Sequence, residues 1–222
     1  TTYRYCNMNV VWDKFDDLIN KHRKLVIKKP CLSGGYQMSV LYSKDDLKYY
    51  QEHVNYRGGR KEILVSEYIS HQQSFAAMGV VQKNGGVFVS PIITEQVLYH
   101  EVAYEGLLFP AFLNEAYQAK VCQITEKIGK MLGKSGYFGF YNVDFVLGTD
   151  NQIYVMEINA RWGFGTILAA CMYGEYFWKV MQGICIGRAK YLDKRLAIGK
   201  IKGREGKTYE GLKSYSGITE WF

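Results

Sequence analysis

The stretch YNVDFVLGTDNQIYVMEINARWGFGT, residues 141–166, predicts a β-hairpin. Its segments 141–147 and 153–159 are rich in Val, Ile, Phe and Tyr, which favour strands. The residues between them, Gly-Thr-Asp-Asn-Gln, are typical of a turn. We therefore expect a turn centred on Asp150 and Asn151 that joins two antiparallel strands.

This register brings polar side chains onto one face of the hairpin. It sets Asp144 opposite Glu157 and Asn142 opposite Asn159, and residues that face each other across two strands lie on the same side of the sheet. Glu157 and Asn159 also share that side, because side chains alternate along a strand. Two carboxylates and a carboxamide are thus predicted to form one small patch.

Two facing carboxylates repel each other, and a divalent cation between them would turn this repulsion into attraction. Oxygen ligands suit Mg²⁺ or Mn²⁺, and Mg²⁺ is usually held by one or two carboxylates together with phosphates. We therefore interpret Asp144, Glu157 and Asn159 as a metal site. The alternative is an edge hairpin with solvated acids, because a register shift of one residue would separate the two carboxylates.

Arg161 extends this patch, since it lies on the same face two residues after Asn159 if the strand continues. A cation beside a metal site indicates an anion between them, such as a phosphate. Gly163 and Gly165 would then let the backbone approach such a ligand closely.

The composition is that of a folded protein. The chain has 222 residues, 48% of them hydrophobic, which is enough for one sizeable core and a small second lobe. It has no apolar run near the ~18 residues of a membrane helix and no signal-peptide pattern. The five cysteines are scattered, odd in number and without paired metal-type spacing, so we expect a reduced protein of the cytoplasm.

The formal charge of +7 comes partly from the basic stretch between Arg188 and Lys213. It indicates an anionic partner, either a nucleic acid or a small molecule such as a nucleotide, or else a solvated basic face. No zinc finger, aromatic RNA-binding signature or basic heptad accompanies the charge, so a nucleic acid is the less favoured partner.

The rest of the chain mixes helices and strands. Apolar spacing predicts helices over 11–24, 111–133 and from about Ile167 to Gln182, and a capping box at Ser43 and Asp46 predicts another through His53. Strand-like runs occupy 25–30, 39–42, 62–69, 74–82 and 86–93, and Asn84-Gly85 between the last two indicates a second hairpin. This order favours an α+β fold over a parallel doubly wound sheet.

The hairpin residues resemble the signature of the ATP-grasp superfamily, in which an acid is followed by Glu-x-Asn-x-Arg. Here Asp144 precedes MEINAR, which contains Glu157, Asn159 and Arg161. The resemblance implies an α+β fold of two α/β lobes with antiparallel sheets gripping ATP. It implies that Asp144, Glu157 and Asn159 bind two Mg²⁺ ions, with Mn²⁺ as the alternative. Arg161 would contact the γ-phosphate and the developing acyl phosphate.

VIKKPCLSGGYQMSV, residues 26–40, resembles the family's strand, Lys-Pro pair and flexible glycine loop. Lys29, directly before Pro30, matches the lysine that reaches the nucleotide, so the resemblance makes Lys29 and Arg161 the expected catalytic residues. Backbone N–H groups of the loop would fold over the phosphates. The loop residues concerned are Ser33, Gly34 and Gly35. Without the downstream hairpin, the loop alone would be interpreted as an ordinary turn.

ILVSEYI, residues 63–69, resembles the family's linker between the lobes. There the backbone of Ser66, Glu67 and Tyr68 would hydrogen-bond the adenine edge, with Ile69 packing on the adenine face. Taken alone, the stretch is a core strand.

Two features depart from the family pattern. The family usually has an N-terminal α/β domain and a further phosphate-binding lysine well before the Lys-Pro pair, and this sequence contains neither. We therefore expect an N-terminal domain or a second chain to complete the site. Many members also carry a ribose-binding Glu after the adenine strand, where Gln73 stands here and would bind a hydroxyl without charge assistance.

Residues 93–110 are the predicted substrate-contacting segment. Glu95, Gln96 and Tyr99 would face an amino group, with Gly163 nearby, and the alternative is a strand that runs into a surface loop. Within the superfamily, this segment with MEINAR is most similar to ligases of amino acids and small peptides and less similar to carboxylases.

The resemblance thus implies an ATP-dependent ligase that joins a small-molecule carboxylate to an amine through an acyl phosphate and releases ADP and phosphate. The alternatives are a non-catalytic ATP-binding module, a phosphotransferase on the same fold and a nucleic-acid-binding protein. We expect a small lobe over 1–69, a large lobe over 70–190 and a basic extension over 191–222. We also expect a homodimer and no membrane partner.

Overall fold

The computed structural model describes residues 1–30, 37–54, 62–99, 101, 103–108, 111–163, 165–166, 179, 182–183 and 185. Their contacts divide the chain into two compact units, Thr1–Ser70 with Leu98–Glu105, and His71–Val97 with Gly106 and the residues after it. This division differs from the predicted domain limits in giving Leu98–Glu105 to the first unit. The basic extension lies outside the described residues.

The elements follow one another as three helices and nine strands in the described part of the chain. The helices are α1 (Met8–His22), α2 (Lys44–Tyr49) and α3 (Glu115–Lys134). The strands are β1 (Thr2–Tyr5), β2 (Leu25–Lys28), β3 (Met38–Leu41), β4 (Ile63–Glu67), β5 (His71–Val81), β6 (Val87–Tyr99), β7 (Ala103–Leu108), β8 (Gly139–Gly148) and β9 (Ile153–Asn159). No helix in these ranges is long and apolar enough to cross a membrane.

The first unit is a sheet of order β1-β4-β2-β3 in which every neighbouring pair is antiparallel. Val11, Phe15 and Leu18 on α1 are buried in its core. The helix begins earlier than predicted, at Met8, because the Asn7 side chain caps it. It ends at His22, before a residue in the left-handed conformation, Arg23 (φ 63°).

The predicted capping box of α2 is present. Ser43 Oγ accepts a hydrogen bond from the Asp46 N–H, and Asp46 Oδ2 accepts one from the Ser43 N–H at 2.9 Å. The α-helix is shorter than predicted, because a π-helical turn over Tyr50–Val54 follows it.

The second sheet has the order β7-β6-β5-β8-β9, and α3 packs against one of its faces. Tyr141 on β8 lies in a notch that two glycines provide. A Cβ atom on Gly79 would lie 2.2 Å from the Tyr141 ring, and a Cβ on Gly129 of α3 would lie 2.3 Å from its hydroxyl. The predicted hairpin at Asn84-Gly85 joins β5 and β6. The predicted α+β class with antiparallel sheets is confirmed.

In the hairpin of β8 and β9, the residues of the polar patch pair as predicted. Asp144 lies opposite Glu157, and Asn142 lies opposite Asn159. The turn, however, is one residue longer than predicted, because Gly148 N donates to Gln152 O and Asn151 takes the left-handed conformation (φ 62°).

A β-bulge at Met156 absorbs this extra residue. Asp144 pairs with Glu157 but Phe145 pairs with Val155, so Met156 is the unpaired residue of β9. Without the bulge, the longer turn would set Asp144 opposite Met156 and turn Glu157 to the other face of the sheet. The bulge therefore positions the second carboxylate.

Candidate functional site

The face of the second sheet that α3 leaves uncovered is polar around Asp144. Asp144 on β8 lies opposite Ala76 on β5 and Glu157 on the edge strand β9. Gln96 on β6 lies opposite Ser74 on the same face. The patch thus spans four neighbouring strands.

Asp144 is the centre of this patch and accepts three hydrogen bonds from carboxamides. Gln96 Nε2 and Asn142 Nδ2 donate to its Oδ1, and Asn159 Nδ2 donates to its Oδ2, each at 2.8 Å. Burial raises the pKa of Asp144 to about 6, and the Glu157 carboxylate acts in the same direction. The hydrogen bonds and the Arg161 guanidinium partly offset this rise in pKa.

The donor set fits a hard cation. Glu157 and Asn159 are partly buried beside Asp144, and all three offer oxygen atoms. No group of three or more His, Cys, Asp and Glu side chains that could hold a metal occurs in the described ranges. Two carboxylates and a carboxamide suit Mg²⁺ that is held jointly with phosphates better than a metal caged by protein alone.

Arg161 lies at the edge of the patch. Its guanidinium is exposed and donates through Nη1 to the Trp162 carbonyl at 2.8 Å. It is close enough to lower the pKa of Asp144. It also lines a cleft with aromatic walls. The other lining residues are Tyr137, Gly139, Phe140, Ala160 and Trp162.

The segment after Arg161 folds back onto the patch. A Cβ on Gly163 would lie 2.7 Å from Asn142 Cγ, and one on Gly165 would lie 3.2 Å from Thr94 Oγ1. The close approach that glycine permits is therefore to the sheet itself. Thr94 is 2% exposed, and its hydroxyl has no hydrogen-bond partner in the part of the chain described.

Two of the predicted substrate residues, Glu95 and Gln96, lie on opposite faces of the sheet. Gln96 faces the patch and bonds to Asp144, whereas Glu95 lies opposite Phe75 on the face that α3 covers. Neighbouring strand residues point to opposite faces, so the expectation that Glu95 and Gln96 face one amino group is wrong. The backbone of Tyr99 ends β6, and its side chain lies outside the described part of the structure.

Gln73, the predicted ribose ligand, also lies away from the patch. Its Nε2 donates to Glu95 Oε2 at 2.7 Å, in a cleft beside Phe112 and the start of α3. The structure therefore does not bring Gln73 together with Asp144.

In the first unit, Lys29 directly follows β2, and its side chain is only 8% exposed. No ion pair joins it to a carboxylate among the described residues. A charged group on a largely buried residue is stabilised by an opposite charge, so this position suits an anionic ligand. Ser33, Gly34 and Gly35 lie outside the described residues.

The predicted adenine linker is the end of β4, an inner strand. Ser66 pairs with Thr2 on one side and Val26 on the other. The N–H of Glu67 donates to Thr1 O, and the N–H of Tyr68 donates to Lys24 O. These two amides are therefore engaged within the first unit, and the expectation that the backbone of Ser66, Glu67 and Tyr68 binds the adenine edge stays a prediction.

The side chains of the linker are engaged within the first unit. Glu67 pairs with His22 at 3.1 Å, and the Lys24 ammonium lies 3.6 Å from the centre of the Tyr68 ring. Lys24 also pairs with Glu101 at 2.7 Å. No local sequence signal indicates this cluster, since its members are far apart along the chain.

Asn142 is the site residue to which sequence reasoning gave no role. Its pairing with Asn159 follows from the hairpin register, and alternation along β8 sets it on the same face as Asp144. The signal was therefore present, but the resemblance names no residue at this position.

Comparison with known proteins agrees with the resemblance to the ATP-grasp superfamily. Residues 13–164 match the family model of the ATP-grasp domain. Formate-dependent phosphoribosylglycinamide formyltransferase of Bacteroides thetaiotaomicron is 27% identical over 138 residues, which cover 61% of this chain and 34% of that enzyme. The chain thus spans about a third of the length of the curated relatives it matches.

Solved structures share the fold. The biotin carboxylase domain of the Hydrogenobacter thermophilus 2-oxoglutarate carboxylase, complexed with MgADP and bicarbonate, matches with a TM-score of 0.67 at 14% identity over 83% of this chain and 41% of that one. N5-carboxyaminoimidazole synthase of Aspergillus clavatus, complexed with ADP and 5-aminoimidazole ribonucleotide, matches with a TM-score of 0.64 at 15% identity. The match covers 90% of this chain and 49% of that one. The family model covers more than half of the chain, and the chain belongs to the ATP-grasp domain family.

Proposed function

We propose that the chain is the nucleotide-binding part of an ATP-dependent ligase that joins a small carboxylate to an amine and releases ADP and phosphate. The observation that carries this proposal is the pairing of Asp144 with Glu157 across the bulged hairpin, with Asn159 and Arg161 beside them. These residues combine oxygen ligands for Mg²⁺ with a cation for phosphate oxygens.

The proposed chemistry is electrostatic. The substrate carboxylate attacks the γ-phosphorus of ATP, the bond to ADP breaks, and the amine then displaces phosphate from the acyl phosphate. Arg161 binds the transferred phosphoryl group, and Lys29 binds a phosphate of the nucleotide. Bound Mg²⁺, as two ions or Mn²⁺ in their place, would neutralise phosphate charge at Asp144, Glu157 and Asn159.

We propose that the acceptor site is the cleft beside Arg161. It adjoins the metal ligands, and its aromatic walls, Phe140 and Trp162, stand edge to face at 5.5 Å. An amino acid or small peptide remains the predicted carboxylate. A one-carbon acid is the second candidate, because matched proteins bear names such as formate-dependent formyltransferase.

The ligase is expected to need more than this chain. The resemblance places a further phosphate-binding lysine well before the Lys-Pro pair, and the match covers only 34% of the length of the formyltransferase relative. An N-terminal domain, or a second chain in a homodimer, would supply that lysine. A cytoplasmic location is part of the proposal and fits the free thiols of Cys6, Cys122 and Cys185.

Trapping of the acyl phosphate tests the proposal. The chain is incubated with Mg²⁺·ATP, hydroxylamine and either formate or alanine, and ADP and hydroxamate are measured for the wild type and for Arg161→Met. Carboxylate-dependent ADP and hydroxamate that Arg161→Met abolishes support the ligase. ATP binding without ADP release would instead indicate that this chain by itself is a non-catalytic module, and ADP release with a phosphorylated product that resists hydroxylamine would indicate a phosphotransferase.

A further inference from the structure

One oxygen of the Asp144 carboxylate is fully occupied by protein donors. Gln96 Nε2 and Asn142 Nδ2 both donate to Oδ1 at 2.8 Å. An ionised carboxylate has about two acceptor positions on each oxygen, so these two bonds fill Oδ1. Oδ2 accepts one bond, from Asn159 Nδ2, and keeps one position open. Asp144 can therefore offer a cation one oxygen.

The Gln96 carboxamide makes a hydrogen bond at each end. Ser74 Oγ donates to Gln96 Oε1 at 3.2 Å, and the amide nitrogen points toward Asp144, whose ionised carboxylate can only accept. Ser74 itself is buried, with its hydroxyl 3.4 Å from the Phe145 carbonyl. A flipped Gln96 would set its amide oxygen against the Asp144 carboxylate, and two acceptors repel each other.

Asn142 is held just as firmly. Its side chain is 6% exposed, and the backbone of Gly163 lies directly against it, where a Cβ would come within 2.7 Å of Asn142 Cγ. Asn142 and Gln96 thus reach the same oxygen of Asp144 from β8 and β6.

We infer that Gln96 and Asn142 are positioning residues that restrict Asp144 to coordination through one oxygen and so favour Mg²⁺ over Ca²⁺. This inference rests on the proposed function, because it concerns the proposed metal site. Mg²⁺ requires near-octahedral geometry and short bonds, whereas Ca²⁺ accepts more ligands and two-oxygen coordination by a carboxylate. A carboxylate with one oxygen already filled suits Mg²⁺ and denies Ca²⁺ its second contact.

Replacement of Gln96 by methionine tests this inference, since the variant keeps the length of the side chain and removes the donor. Calorimetry measures the Kd of Mg²⁺·ATP and of Ca²⁺·ATP for each protein. We expect the ratio of the Ca²⁺·ATP Kd to the Mg²⁺·ATP Kd to fall by about tenfold, the equivalent of ~1.4 kcal/mol. Gln72→Met is the matched control, because Gln72 bonds to the hairpin turn, at Gly148 O, and should leave the ratio unchanged.

A second variant avoids reliance on a single substitution. Ser74→Ala leaves Gln96 in place but frees its carboxamide to turn, so we expect a smaller fall in the same ratio, about threefold. A purely structural role would weaken the binding of both metal complexes in parallel. If both variants bind Mg²⁺·ATP and the ratio of the Ca²⁺·ATP Kd to the Mg²⁺·ATP Kd is unchanged, the inference is overturned and the proposed function is not. Failure of the wild type to bind either complex would overturn the proposed function with it.

Discussion

The metal-free protein should be destabilised by the charge on Asp144. Its pKa is raised from 3.8 to about 6, first by burial and then by Glu157. Below about pH 4 the carboxyl is protonated in both the folded and the unfolded chain, so it has no differential effect there. As the pH rises from about 4 to about 6, the unfolded chain loses this proton first and the folded state loses stability, which it does not regain at higher pH.

The magnitude follows from the same shift. A rise of about two pKa units corresponds to about 3 kcal/mol, which is the upper limit of what neutralisation can recover. Asp144→Asn removes the charge at constant shape. The new amide has a single acceptor oxygen for three N–H donors, so it forfeits a hydrogen bond worth about 1.5 kcal/mol. We therefore expect Asp144→Asn to stabilise the metal-free protein by about 1–2 kcal/mol at neutral pH.

Urea unfolding in the presence of a chelator measures this effect at about pH 4 and about pH 7.5. The stability gain of Asp144→Asn should appear at the higher pH and give way at the lower one to a small loss, because only the forfeited hydrogen bond remains there. Asp150→Asn is the control of opposite sign, because the Tyr154 hydroxyl at 2.6 Å lowers the pKa of Asp150 and this carboxylate stabilises the folded state. Equal or lower stability of Asp144→Asn at about pH 7.5 would refute the reasoning.

Two further predictions concern the packing and capping of the fold. Gly129→Ala should lower the free energy of unfolding by about 2–4 kcal/mol, because its Cβ would overlap the buried Tyr141 hydroxyl. Gly133→Ala on the same helix is the control, since its Cβ would meet only one valine methyl, at 3.2 Å. Ser43→Ala should cost about 1 kcal/mol through loss of the α2 capping box, and the melting temperature of the variant reports it. An unchanged melting temperature would mean that the box does not hold the helix.

The hairpin of β8 and β9 could be predicted from sequence because its pairing is local. Alternation of side chains and the turn residues set Asp144 opposite Glu157. The bulge at Met156 could not be predicted, since a two-residue turn without a bulge and a longer turn with one give the same pairing at the site. The backbone conformation of Asn151 and the pairing of Phe145 with Val155 distinguish them in the structure.

The features that the sequence did not reveal arise mostly from non-local pairing. That Glu67 and Tyr68 have engaged amides follows from the position of β4 between β1 and β2, which depends on contacts between distant parts of the chain. Gln96 was predicted to contact the substrate because it lies in an irregular segment rich in aromatic and acidic residues. Its bond to Asp144 crosses β5, and no local pattern in the sequence reveals it. Glu95 was grouped with it although adjacent strand residues face opposite ways.

The central claim is that Asp144 and Glu157 form the metal end of an ATP site, and calorimetric titration with Mg²⁺·ATP tests it most directly. The wild type should bind, and Glu157→Gln should weaken binding at least about tenfold because half of the carboxylate charge at the site is lost. Glu126→Gln is the matched control, since Glu126 lies on α3 at the other face of the sheet and pairs with Lys130. Absence of binding by the wild type, or equal affinity of Glu157→Gln and the wild type, would contradict the claim.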